Sequence, residues 1–265
     1  MKRRVGGLEE FTIEILHYQR RSLHIALAIS GWITEDHLNS FKTPWRCLNV
    51  SNEQYCLRYE SKYLLEFGKA IDYIFSVALS CAIQHGLMET ALAGVMSAIV
   101  WPVSLLGVAS VIDNPWNVCI RRSQEAGEQL SQILLSRKHG HRPVTLLGFS
   151  LGARKSGNFA GIVQNAILLG TPVGCSPCEW KKISQVVGGC IINGYCRSDW
   201  LLKFLYRTMN LQYSVAGLEP IENVSPRIQN RDLSLIVKSH SDYMNKLPEI
   251  LNFVGIPVNM SYINQ

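Results

Sequence analysis

Gly148-Phe149-Ser150-Leu151-Gly152 is the segment of the chain with the clearest chemistry. It follows an apolar stretch, residues 143–149 (PVTLLGF), which reads as a strand. A serine between two glycines at this spacing, directly after a strand, is the pattern of a nucleophile elbow. The serine sits on a sharp strand-to-helix turn. Side chains two residues either way would collide there, hence the glycines. A serine hydroxyl is a weak nucleophile, so it needs a base, and the base needs an orienting acid. In elbow enzymes the acid and then the histidine follow the serine along the chain. The chain has seven histidines, and only His240 lies after Ser150. It stands in Lys238-Ser239-His240-Ser241-Asp242, read as a loop between the last strand and the last helix. Asp199 follows a predicted strand at 189–195 by a few residues and is the first candidate for the acid, with Asp232 and Asp242 as competitors. Asp232 could equally cap a short turn, and Asp242 the final helix. An oxyanion hole needs two backbone N–H groups. Leu151 would supply one. The other would come from Ser30-Gly31-Trp32, through Gly31 or Trp32, where a glycine lets the backbone approach a substrate closely.

These residues need a scaffold. Residues 22–30 (SLHIALAIS) read as a buried strand, and 54–60 (QYCLRYE) alternate as a second. Further strands are expected at 162–170, 189–195 and 211–218. Helices are expected at 117–138, 179–187, 199–207 and 240–254. Residues 35–48 read as helical or irregular, broken by Pro44. Strands alternating with helices argue for a mainly parallel sheet.

Composition narrows the function classes. The chain has 265 residues and only 17% charged side chains, so it can bury one sizeable core and is not disordered as a whole. Net charge is +6 without a dense basic stripe, which gives no case for nucleic acid. Eight cysteines are scattered, and Cys175-x-x-Cys178 has no second pair at zinc spacing. The basic start, Met1 to Arg4, is followed by Glu9, Glu10 and Glu14 where a secretory signal would be apolar. Free thiols, a reducing compartment and an intracellular location are therefore expected, with no metal and no cofactor.

One stretch stands apart. Residues 91–112 carry no charge and are long enough to cross a bilayer. Before them, residues 73–88 are apolar but carry Gln84 and His85. Asp113-Asn114-Pro115 reads as the stop. A single crossing would put the strand at 22–30 and Ser150 on opposite sides of the membrane, and one sheet cannot straddle it. The stretch must then cross twice, dip in and return, or stay buried as a cap-like hairpin. Each of the last two puts apolar surface near the candidate site, which suits a hydrophobic or lipid ester.

LHIALAISGW, EQYCLRYESKYLLEFG, WPVSLLGVASVIDNPW, RPVTLLGFSLGAR, INGYCRSDWLL and SHSDY together resemble the transmembrane and coiled-coil domain-containing protein 4 family. The likeness covers nearly the whole chain. It implies an α/β-hydrolase-like, membrane-associated protein of poorly characterised substrate, with Ser150, Asp199 and His240 at the nucleophile, acid and base positions. It departs from that family after Ser150, where LGARKSGNFAG is shorter than the family's helix and Ser156-Gly157-Asn158 breaks helical periodicity. That shortening implies a less stable or inactive form. The long members' N-terminal coiled-coil region has no counterpart here.

The expectation from all this is one α/β-hydrolase-like domain, residues 1–265. Its sheet is mainly parallel and flanked by helices, with an apolar helical-hairpin insertion at 61–116. The expected activity is serine hydrolysis of an ester through an acyl-enzyme, with the catalytic part in the cytoplasm at a membrane surface or bilayer. The alternative is a non-catalytic membrane-associated adaptor that keeps the fold.

Overall fold

In a computed structural model, residues 7–84, 103–153, 161–209 and 214–262 are described. Seven strands form one sheet: β1 (Phe11–Tyr18), β2 (Ile25–Ile29), β3 (Glu53–Tyr59), β4 (Val144–Phe149), β5 (Val163–Leu169), β6 (Ile191–Tyr195) and β7 (Ile228–Asp232). Their order is β1-β3-β2-β4-β5-β6-β7. β1 runs antiparallel to β3, and every other pairing is parallel. The described helices are α1 (Ser61–Gln84), α2 (Val103–Leu135), α3 (Pro177–Val186), α4 (Trp200–Met209), α5 (Asp242–Asn245) and α6 (Leu247–Phe253).

Every residue of β2, β4 and β6 is buried, which is why these stretches are short apolar runs rather than alternating ones. β1 is an edge strand with Ile13, Ile15 and Tyr18 exposed. Nothing in the sequence reading marks it, or β7. The polar run Ile228–Asp232 is a strand because β6 pairs with it along its whole length. The expected strand at 211–218 is not one. Residues 211–213 lie outside the described set, and Val215 makes only a single bridge to Gly174.

Asp113-Asn114-Pro115 does not stop a helix. α2 runs through Pro115. Proline removes one amide from the helical ladder and crowds the preceding turn. Here Asn117 Nδ2 donates to the Asp113 carbonyl at 2.9 Å and to its carboxylate at 2.6 Å. The next residue, Trp116, is fully buried against Phe67 of α1 and Tyr206 of α4. Tertiary packing outweighs the local break. The expected single helix at 240–254 is instead α5 and α6, divided at Lys246 with Pro248 in the first turn of α6.

Residues 91–102 of the long apolar run lie outside the described residues, and 103–112 belong to α2. Among the described residues no helix is long and apolar enough to cross a membrane. Most of the short segment after Ser150 also lies outside them. Ser150–Ala153 forms a brief 3-10 turn.

Two buried carboxylates fix the scaffold around β3. Arg142, just before β4, grips Glu53 with both terminal nitrogens, at 2.5 and 3.0 Å. That guanidinium, with the Ser22 amide and the Tyr55 hydroxyl, holds the Glu53 carboxyl down at about 2. At the other end of β3, Glu60 accepts the amides of Glu9 and Glu10 and lies 3.2 Å from the Arg122 guanidinium of α2.

Candidate active site

β2, β4, β6 and β7 are mutually parallel in the sheet, so the loops leaving them gather at one end. Such carboxyl-end crevices are where open α/β sheets bind ligands. The loop after β2 carries Gly31 and Trp32, that after β4 Ser150, that after β6 Asp199, and that after β7 His240.

Ser150 has φ +51, a left-handed conformation that a residue with a Cβ rarely adopts. The turn brings its hydroxyl 2.9 Å from Nε2 of His240. His240 Nδ1 lies 2.5 Å from Oδ2 of Asp199. The other oxygen of Asp199 accepts the Leu202 amide at 3.0 Å. Leu202 is the third residue of α4, so the carboxylate caps that helix while it holds the imidazole. An imidazole donating from Nδ1 to a carboxylate leaves Nε2 free to accept, and Ser150 Oγ donates to it. In this geometry Nε2 can take the hydroxyl proton. Ser150, Asp199 and His240 are all fully buried.

The competing aspartates do other things. Asp232 accepts the Ser234 amide at 2.9 Å. Asp242 accepts the amides of Lys238 and Ser239, at 2.8 and 3.3 Å, and so ties down the loop that carries His240.

The loop after β2 lies directly against the elbow. A Cβ on Gly31 would stand 2.5 Å from the Phe149 carbonyl oxygen, 2.6 Å from the Leu151 amide nitrogen and 2.8 Å from the Ser150 Cβ. Only glycine fits. Gly152 is equally confined, since its Cβ would come 2.3 Å from the Ile29 carbonyl oxygen. Ser30 is pinned by Trp45 Nε1 donating to its hydroxyl at 3.0 Å and by Tyr59 donating to its carbonyl at 3.2 Å. The Leu151 amide and the Gly31-Trp32 backbone are thus neighbours.

The sequence marks Trp32 only through its backbone, beside Gly31. Its indole stacks on the His240 ring, with centroids 5.0 Å apart and planes at 25°. Tyr243 meets the same imidazole edge-on, at 5.5 Å and 66°. An aromatic residue next to the close-approach glycine was the available signal. For Tyr243 it was the spacing of three from His240 into a helix.

Other chemistry is weaker. Cys47, Cys56, Cys119, Cys175, Cys178, Cys190 and Cys196 are free thiols. Burial pushes Cys47 to about 11 and Cys56 to about 12, so neither is a thiolate at neutral pH. Among the described residues no group of three or more His, Cys, Asp or Glu side chains is placed to hold a metal ion.

The model of a family described as a protein of unknown function (DUF726) matches residues 1–257. An uncharacterized membrane protein of Caenorhabditis elegans is 54% identical over 271 residues, covering 97% of this chain and 44% of that protein. A transmembrane and coiled-coil domain-containing protein of Oryza sativa is 34% identical, covering 97% and 40%. A probable lipase of Saccharomyces cerevisiae is 32% identical, covering 97% and 25%. The chain spans less than half the length of these relatives.

Proposed function

This chain belongs to the DUF726 family, and from that premise we propose that it is a serine hydrolase acting on hydrophobic esters, lipid esters among them. The observation that carries the reading is the buried hydrogen-bonded chain Asp199–His240–Ser150, with the serine in left-handed backbone. The naming of a yeast relative as a probable lipase supports the substrate class. The order serine, aspartate, histidine on the loops of a mostly parallel sheet supports an α/β-hydrolase-like fold. In this reading the fold is a single domain, with the apolar stretch at residues 61–116 as an insertion within it. The membrane-protein names of relatives support a place at a membrane. The free thiols accord with a catalytic part on the cytoplasmic side, where a reducing environment keeps them so.

Ser150 Oγ attacks the ester carbonyl carbon while its proton passes to His240 Nε2. Asp199 keeps Nδ1 protonated and stabilises the imidazolium. The carbonyl oxygen becomes an oxyanion, held by the Leu151 N–H and an N–H of Gly31 or Trp32. The tetrahedral intermediate collapses, and the leaving alkoxide takes the proton from Nε2. Water then repeats the sequence on the acyl-enzyme, releasing the acid and restoring Ser150. No metal or organic cofactor enters these steps.

A fluorophosphonate probe tests this. The folded chain is expected to be labelled, and Ser150→Ala to lose labelling at unchanged melting temperature. The second reading is a non-catalytic membrane-associated adaptor, favoured by the complete burial of all three side chains. No labelling of a folded chain, with or without lipid vesicles, would establish that reading instead.

A further inference from the structure

We infer that the Trp32 side chain is a positioning residue for His240, holding the imidazole plane in which it can serve Ser150. The inference rests on the hydrolase reading above.

Two groups hydrogen-bond the ring nitrogens, the Asp199 carboxylate at Nδ1 and the Ser150 hydroxyl at Nε2. They fix where the nitrogens lie. They resist tilting of the ring about the line between them only weakly, because hydrogen-bond angles tolerate tens of degrees. Tilt is opposed by what lies on the faces. The Trp32 indole covers one face at 25°. Tyr243 meets the ring at 66°, with centroids 5.5 Å apart, and so does not lie flat over it.

Trp32 is itself immobilised. It is 2% exposed. Phe149, the residue before the nucleophile, meets it edge-to-face at 4.9 Å and 84°. α1 also closes in at Gly68, where a Cβ would come 3.3 Å from the indole Cδ1 and 2.1 Å from the Ile33 carbonyl oxygen. The nucleophile strand, the loop after β2 and α1 therefore all converge on the ring that covers the base. An indole face also attracts a cation, and in the proposed reaction His240 becomes one only as the transition state forms. Both effects act on kcat rather than on substrate affinity.

The test compares Trp32→Leu, which keeps an apolar cover, with Trp32→Phe, which keeps an aromatic face. Neither alters the backbone N–H. Fluorophosphonate labelling rates and turnover of a medium-chain p-nitrophenyl ester are measured beside melting temperatures. The Leu variant is expected to lose about tenfold in labelling rate and kcat with KM within about twofold. The Phe variant should recover most of the loss. Labelling of the Leu variant at the unsubstituted rate overturns the inference. So does equal impairment of both variants, or a change confined to KM. NMR of the His240 ring protons gives a readout that needs no activity. Stacking shifts them upfield, and the Leu substitution should release that shift. If the original chain is folded but unlabelled, the hydrolase reading fails. An unreleased shift fails the stacking separately.

Discussion

At the scale of single residues, the left-handed turn at Ser150 holds the backbone where a Cβ is unwelcome. Such conformations cost on the order of 1 kcal/mol or more. Glycine adopts them freely. Ser150→Gly is therefore expected to be more stable than Ser150→Ala by about 1 kcal/mol, read as a higher melting temperature. Equal melting of the two would mean that the elbow is unstrained. The sequence suggested Ser150 because glycines at fixed spacing announce a backbone need, and His240 because chain order left one histidine. Asp199 was harder to choose, since three aspartates follow the serine. What separates them is three-dimensional: one caps α4 while facing the imidazole, and another ties the loop behind it. The Trp32 stacking had no sequence counterpart, because a ring's partner 208 positions away along the chain leaves no local pattern.

Between elements, the Glu53–Arg142 fork joins β3 to the start of β4, the strand that leads into Ser150. The Glu53 carboxyl is held at about 2, below its ordinary value of 4.5. A group depressed in the folded state contributes stability that is full above its unfolded value. That contribution is lost as pH falls from about 4.5 towards 2. Glu53→Gln should cost about 2–3 kcal/mol at pH 7 and flatten the fall in stability across that window, measured by urea unfolding at pH 7, 4 and 3. A parallel pH dependence in both proteins would show that the fork does not carry it. Elements buried on both faces were legible as apolar runs, as with β2 and β4. Edge strands were not. β1 turns Ile13 and Ile15 outward, and β7 is largely polar, so pairing with a neighbour defines them rather than composition. The same holds for α2, where Pro115 looks like an end until Trp116 is seen to be packed.

For the whole molecule, the sheet order and the converging loops make a scaffold that can align four chain segments to ångström tolerance. Its relatives are longer proteins, and two of them are named as membrane proteins. The complete enclosure of Ser150 and His240 also has a kinetic meaning. In the proposed hydrolase an ester reaches the hydroxyl only in a transiently open form, so when opening is a rapid equilibrium the rate carries the open fraction as a multiplying factor. Bond-breaking then stays at the top of the barrier, as the loss of kcat expected of Trp32→Leu also requires. A nitrophenyl ester should in that case exceed a simple alkyl ester of the same acid by more than about tenfold in kcat/KM, a quantity that breakdown of the shared acyl-enzyme does not enter. Ratios within about threefold would instead place admission at the top of the barrier.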